Sequence, residues 1–238
     1  MMNESTNGRR NADANLPEAA DANPAQSPTS KPTGRDPSPC PTCRFQVWLC
    51  VCAHAPRLTI RTPMLVVAHV HDMTRTSNTV RLLNLAIRDI TVVLHGVFPA
   101  PADPASHVPA GTTPIVLFPG HGAKPLTPEL IAFLPSPPVL VVPDGNWRQA
   151  SRMVKRLSLL TCAVKIALPD RAFGGTALRR NLPGHHMSTY EAVTQALAIL
   201  EGEDVAAPLL DFYRRATDRM LLVRGNLKLG EVYGGVGV

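Results

Sequence analysis

Between Met64 and Leu168 five short apolar runs punctuate the chain: Met64–Ala68, Thr91–Phe98, Pro114–Phe118, Val139–Val142 and Ala163–Leu168. Several are β-branched and bounded by Pro or Gly, the pattern of buried strands. Helical spacing of apolar residues falls between or after them, near Asn78–Arg88, Pro128–Phe133, Asn146–Leu160, Thr189–Leu200 and Ala206–Val223. A strand that returns parallel to its neighbour needs a crossover, and a helix usually supplies it. The alternation therefore predicts an α/β fold, a mostly parallel sheet with helices on both faces. Residues 99–113, with Pro99, Pro101, Pro104 and Pro109, read as an exposed loop. The chain shows no internal repeat.

The ends of the chain read differently. Residues 1–38 contain no Val, Ile, Phe, Tyr or Trp. Such a segment buries too little apolar surface to offset its ordering entropy, and it is expected to be a disordered tail. A Cys-rich segment, residues 39–60, follows, and the main domain takes up 61–238. No run approaches the roughly 20 apolar residues that span a bilayer, and no hydrophobic leader opens the sequence. The expectation is a cytoplasmic protein with no membrane partner.

Cys40-Pro-Thr-Cys43 and Cys50-Val-Cys52 offer closely spaced thiolates. Tight spacing of this kind points to metal rather than to a disulfide framework. Four soft ligands suit tetrahedral zinc, and with four Cys no coordination position stays open, so the site would be structural. Incidental thiols are the competing reading. Cys162, in an apolar context, reads as a core residue.

Charge is unevenly spread. Residues 1–38 carry Arg9, Arg10, Lys31 and Arg35 against Glu4, Asp13, Glu18, Asp21 and Asp36, a net −1; the whole chain is +6, which leaves +7 for the remainder. Between positions 148 and 180, Arg148, Arg152, Lys155, Arg156, Lys165, Arg171, Arg179 and Arg180 face the single acid Asp170. A basic patch of this density suits a polyanion such as RNA, with a solvated helix face as the alternative. Arg148, Arg152, Lys155 and Arg156 share one face of the predicted helix, and Ala150, Met153, Val154, Leu157 and Leu160 form the opposite, buried stripe.

Three turns carry candidate chemistry. Asp144-Gly145-Asn146-Trp147 follows a predicted strand and opens a helix, where ligands bind in parallel sheets. The competing reading makes Asp144 or Asn146 a helix cap and Trp147 a packing residue. Ser188-Thr189-Tyr190-Glu191 reads as a capping box, and its helix N-terminus could also receive an anion. Leu117-Phe118-Pro119-Gly120 closes another strand, with Gly120 permitting close backbone approach. His69 and His71 end the first strand and read more readily as scaffold than as ligands.

Taken in order, these segments resemble the DTW-domain family. The resemblance rests on Cys40, Cys43, Cys50 and Cys52; His69 with Asn78-Thr79; Leu117-Phe118-Pro119; Asp144-Gly-Asn-Trp147-Arg-Gln-Ala150-Ser-Arg-Met153; Leu178-Arg179-Arg180-Asn-Leu-Pro183; and Ser188-Thr189-Tyr-Glu191-Ala192. It spans about Cys40 to the C-terminus. Asn146 stands where the family has Thr, and Asp72 where relatives carry a nearby Glu.

The resemblance implies a fold similar to the knotted SPOUT class of RNA methyltransferases. It also implies transfer of the 3-amino-3-carboxypropyl group of S-adenosylmethionine to N3 of a tRNA uridine. On that reading Asp144 and Trp147 are catalytic. Leu117, Phe118, Pro119, Gly120, Asp144, Ser188 and Thr189 hold S-adenosylmethionine. Arg148, Arg152, Lys155, Arg179 and Arg180 bind RNA, and the four clustered Cys hold zinc. A SPOUT-like methyltransferase and a zinc-stabilised RNA-binding module without catalysis are the rival readings.

Overall fold

The computed structural model describes residues 35–73, 75, 78–99, 102–169 and 187–236. Its strands are β1 (Met64–His69), β2 (Thr91–His95), β3 (Thr113–Leu117), β4 (Lys124–Pro125), β5 (Pro138–Asp144) and β6 (Val164–Ala167). Its helices are α1 (Val70–Met73), α2 (Val80–Ala86), α3 (Pro128–Ala132), α4 (Trp147–Arg156), α5 (Ser158–Cys162), α6 (Thr189–Leu200) and α7 (Glu203–Val223). The six strands form one sheet in the order β2-β1-β5-β3-β6-β4. Every pairing is parallel.

Side chains alternate across a strand, and here the alternation sorts the core into two layers. Met64, Val66 and Ala68 of β1 join Leu140 and Val142 of β5 and Ile115 of β3 on one face, packed with α2, α6 and α7. Leu65, Val67, Val141 and Val116 point the other way, onto Ala150, Met153 and Val154 of α4 and Leu160 of α5. Both faces are thus covered, which is why these strands read as continuous apolar runs. The Cys-rich segment belongs to the first layer: Cys40, Cys43, Phe45, Leu49 and Val51 pack in the same cluster as α2, α6 and α7. Each such fully buried aliphatic or aromatic side chain contributes about 1.5–3 kcal/mol.

Several details differ from the sequence reading. The run from Thr91 ends as a strand at His95, because Gly96 turns the chain with a φ of 85°. The helix expected over 146–160 is two helices, broken where Leu157 is extended (φ −83°, ψ 123°). Cys162 is exposed rather than in the core. It lies two residues after the buried Leu160, which carries it to the far side of a helical turn. The expected tail lies outside the described residues as far as position 34. Within the remainder of that stretch, the Ser38 carbonyl accepts from the Val47 amide at 2.8 Å. No helix among the described residues is long and apolar enough to cross a membrane.

Candidate functional site

Parallel strands bring their carboxyl ends to one edge, and β1 and β5 are neighbours there, with Ala68 paired to Asp144. Asp144, the last residue of β5, is 5% exposed. Its Oδ1 accepts from the Thr189 hydroxyl at 2.6 Å and its Oδ2 from the Asn78 side-chain amide at 3.2 Å. Asn78 in turn accepts from the Val80 and Arg81 amides at the start of α2. Thr189 is the first residue of α6. One carboxylate therefore ties together the amino ends of two helices, the ends at which negative charge is favoured.

A second buried acid stands close by. Asp72, in α1 just beyond β1, is 7% exposed. Its Oδ2 accepts from the Asn146 amide at 3.3 Å, and its Oδ1 pairs with Arg75 Nε at 3.0 Å. A Cβ at Gly145 would meet Gln149 at 3.1 Å and Asp72 Oδ2 at 3.4 Å, so a side chain at this position would crowd the turn. Asp72, Arg75, Asn78, Asp144 and Thr189 line one cavity of about 140 Å³, completed by Thr79 and the Gly145–Asn146 turn. The Asp144 turn and the start of α6, distant in sequence, meet in this cavity.

The other sequence-derived candidates fall in distinct places. Asn146 caps α4: its side chain accepts from the Gln149 amide at 3.0 Å, and Gln149 Oε1 accepts from the Asn146 amide at 2.7 Å. A short polar side chain thus serves there as Thr does in a cap. Ser188 is buried, its hydroxyl shared between the Glu191 amide and the Tyr213 hydroxyl, and it does not line the cavity. Leu117, Phe118, Pro119 and Gly120 also lie outside the lining. Trp147 is not in the core. It is 62% exposed and stacks on Phe118 with ring centroids 4.9 Å apart and planes 20° from parallel. Arg148, Arg152, Lys155 and Arg156 are all exposed, and among the described residues none enters an ion pair. Leu178, Arg179, Arg180 and Pro183 lie outside the described residues.

His69, His71 and His95 gather at the ends of β1 and β2. The His69 ring stacks on His71 at 5.4 Å and meets His95 edge-on at 6.2 Å. Burial, then the neighbouring His71, pushes His69 below the ordinary imidazole range. Its Nδ1 accepts from the His71 amide at 3.4 Å, a scaffold contact.

The Cys cluster closes as a compact set. Cys40 lies 3.8 Å from Cys52 and 3.6 Å from Cys50, and Cys43 lies 3.7 Å from Cys50, sulfur to sulfur. A tetrahedron with metal–sulfur bonds of about 2.3 Å has edges of about 3.8 Å, which these three sulfur separations match. All four lie within 4.8 Å of one another. Arg44, with a φ of 63°, closes the first knuckle, its amide donating to the Cys40 carbonyl at 3.0 Å. Hydrogen bonds from Cys50 and then Cys52 pull the Cys43 thiol far below the usual range. The same Cys43 contact pushes Cys50 and Cys52 up.

The sequence reading missed Arg75 and left Asp72 without a role. A lone Asp after a strand carries no local signal, and only the tertiary meeting with the Asp144 turn reveals it. A family model described as the DTW domain matches residues 38–221. No curated protein and no solved structure matches the chain.

Proposed function

The chain belongs to the DTW-domain family, and from that premise we propose that it modifies RNA, moving the 3-amino-3-carboxypropyl group of S-adenosylmethionine to N3 of a uridine, with tRNA as the substrate. The observation that carries this reading is the cavity in which Asp144 is fixed by Asn78 and Thr189, at the edge of the sheet where parallel folds bind ligands.

Uridine N3 is a poor nucleophile while it holds its proton. Asp144 accepts or orients that proton, and the two hydrogen bonds it receives fix the direction in which its carboxylate points. Bound S-adenosylmethionine supplies an electrophilic Cγ: as the N3–Cγ bond forms, the Cγ–S bond breaks, its electron pair stays on sulfur, and methylthioadenosine leaves. Selecting Cγ over the methyl carbon is a matter of positioning, which the cavity at the meeting of β1, β5 and α6 provides. The exposed Trp147, backed by Phe118, offers a flat face for an unpaired base beside the cavity turn. Arg148, Arg152 and Lys155 follow it on the exposed side of α4 and hold phosphates, which positions the RNA without reading its sequence. Cys40, Cys43, Cys50 and Cys52 would hold zinc as a structural ion, with no coordination position left for substrate.

The deciding experiment incubates the purified protein with unmodified tRNA and S-adenosylmethionine and analyses the digested nucleosides by mass spectrometry. A uridine heavier by one aminocarboxypropyl group is the expected product. A uridine heavier by one methyl group would make the protein a methyltransferase. Unchanged nucleosides, with no binding of S-adenosylmethionine in calorimetry, would leave an RNA-binding module.

The RNA surface has its own test. Changing Arg148 and Arg152 together to Ala is expected to raise the RNA Kd and to reduce the slope of log K against log salt by roughly 2, about one unit for each phosphate no longer neutralised. An unaltered slope would place the RNA elsewhere.

A further inference from the structure

The cavity beyond β1 and β5 is smaller than a nucleoside-sized ligand needs. Pockets for such ligands run to about 300–1,000 Å³, whereas this one measures about 140 Å³. It therefore takes one end of a larger molecule. The side chains around it, from Asp72, Arg75, Asn78, Thr79, Asp144 and Thr189, all carry polar groups, so an apolar or aromatic fragment gains nothing there.

The charges are more selective still. Asp72 and Asp144 against Arg75 leave the lining at −1. Asp144 accepts from Thr189 and Asn78, and the transfer reading above keeps it for the N3 proton. Asp72 holds one backbone amide at 3.3 Å and one guanidinium nitrogen, and each carboxylate oxygen has more than one lone-pair direction. Arg75 reaches Asp72 through Nε, and its side chain is 60% exposed. The forked Nη pair of a guanidinium is shaped for a carboxylate.

An acid and a guanidinium side by side, at the mouth of a small polar cavity, match an α-ammonium and an α-carboxylate on one carbon. We infer that this cavity receives the amino-acid arm of the co-substrate, with Asp72 facing the α-ammonium and Arg75 the α-carboxylate. The inference rests on the transferase reading above and names which end of S-adenosylmethionine the cavity holds. With its sulfonium, that molecule is +1 overall and neutralises the −1 lining. The leaving methylthioadenosine has no such arm and no charge, so the cavity has no hold on it once transfer is complete. The Ser188 hydroxyl takes no part, since it is shared between Glu191 and Tyr213 and does not line the cavity.

Calorimetry with three nucleosides tests this on the full chain: S-adenosylhomocysteine, which keeps the arm; decarboxylated S-adenosylmethionine, which keeps only the ammonium; and methylthioadenosine, which has neither. The wild type is expected to bind S-adenosylhomocysteine at least about tenfold more tightly than methylthioadenosine, the scale of one charged hydrogen bond. Asp72→Asn retains an acceptor for the Asn146 amide while removing the charge. It is expected to weaken S-adenosylhomocysteine and the decarboxylated analogue by about tenfold or more. Arg75→Gln is expected to weaken S-adenosylhomocysteine alone. Unchanged RNA affinity, which depends on α4, reports that both variants are folded. Equal wild-type affinity for S-adenosylhomocysteine and methylthioadenosine, or equal losses for every nucleoside in the variants, overturns the assignment of the arm and leaves the transferase reading standing. A wild type that binds none of the three overturns both.

Discussion

Asp144→Ala is expected to abolish aminocarboxypropyl transfer while the protein stays folded and still binds S-adenosylhomocysteine, neutral overall, through Asp72 and Arg75. Removing a positioned group that handles a proton in the transition state lowers the rate by about 10²–10⁴-fold, and here the same carboxylate also sets the geometry around it. Without it, the Asn78 amide and the Thr189 hydroxyl lose their shared acceptor. A buried donor left without a partner costs about 1–3 kcal/mol. A domain of this size tolerates such a loss at moderate temperature, so a thermal melt should show a lowered but cooperative transition. Asp144→Asn separates the two contributions, since it keeps an oxygen for one of the donors and removes the charge. If the charge matters, the Asn variant is nearly as slow as the Ala variant yet melts closer to the wild type. Single-turnover transfer, a melt and S-adenosylhomocysteine calorimetry on the same preparations give the three readouts. Full transfer by the Ala variant would remove Asp144 from the chemistry.

How much of this was readable before folding depends on how local each signal is. β1 and β5 were legible because both of their faces are buried, so Met64–Ala68 and Val139–Val142 are apolar without interruption. The start of α6 was legible because Ser188 and Glu191 form a reciprocal cap within four consecutive residues. β4 was not, since Lys124 and Pro125 are both exposed and carry no apolar pattern. The break between α4 and α5 was equally hidden, because Leu157 is neither Gly nor Pro and would suit a continuous helix. At the site, Asp144 and Thr189 were expected to share one cleft, as they do, but the hydrogen bond between them was not legible, since 45 positions separate them in sequence. Asp72 and Arg75 show the same limit more sharply. Nothing near them in the sequence says that the turn after β1 faces the turn after β5. The exposure of Trp147 was likewise undecidable from its neighbours, because an indole opening an amphipathic helix can turn to either side.

Replacing Cys43 with Ser is expected to remove stoichiometric zinc and to destabilise the whole domain, not the Cys-rich segment alone. Cys43 is fully buried and packs in the cluster that holds α2, α6 and α7 against the sheet. Leu49 and Val51, between and beside the ligands, are buried in the same cluster. Losing the metal therefore loosens one wall of the main core, and losses of a structural metal are among the few changes that exceed about 4 kcal/mol. In a chain of this length that corresponds to a fall in Tm of roughly 8–16 °C. Zinc needs all four sulfurs as thiolates, and the contact with Cys43 raises Cys50 and Cys52 above the usual thiol range. Uptake must then release protons, and loading should weaken as pH falls. Metal content by mass spectrometry, melts with and without a chelator, and proton release on zinc addition measure the three effects. A Cys43→Ser protein that melts with the wild type, or a wild type whose Tm ignores the chelator after zinc has been stripped, would show that the cluster is packed thiol and nothing more.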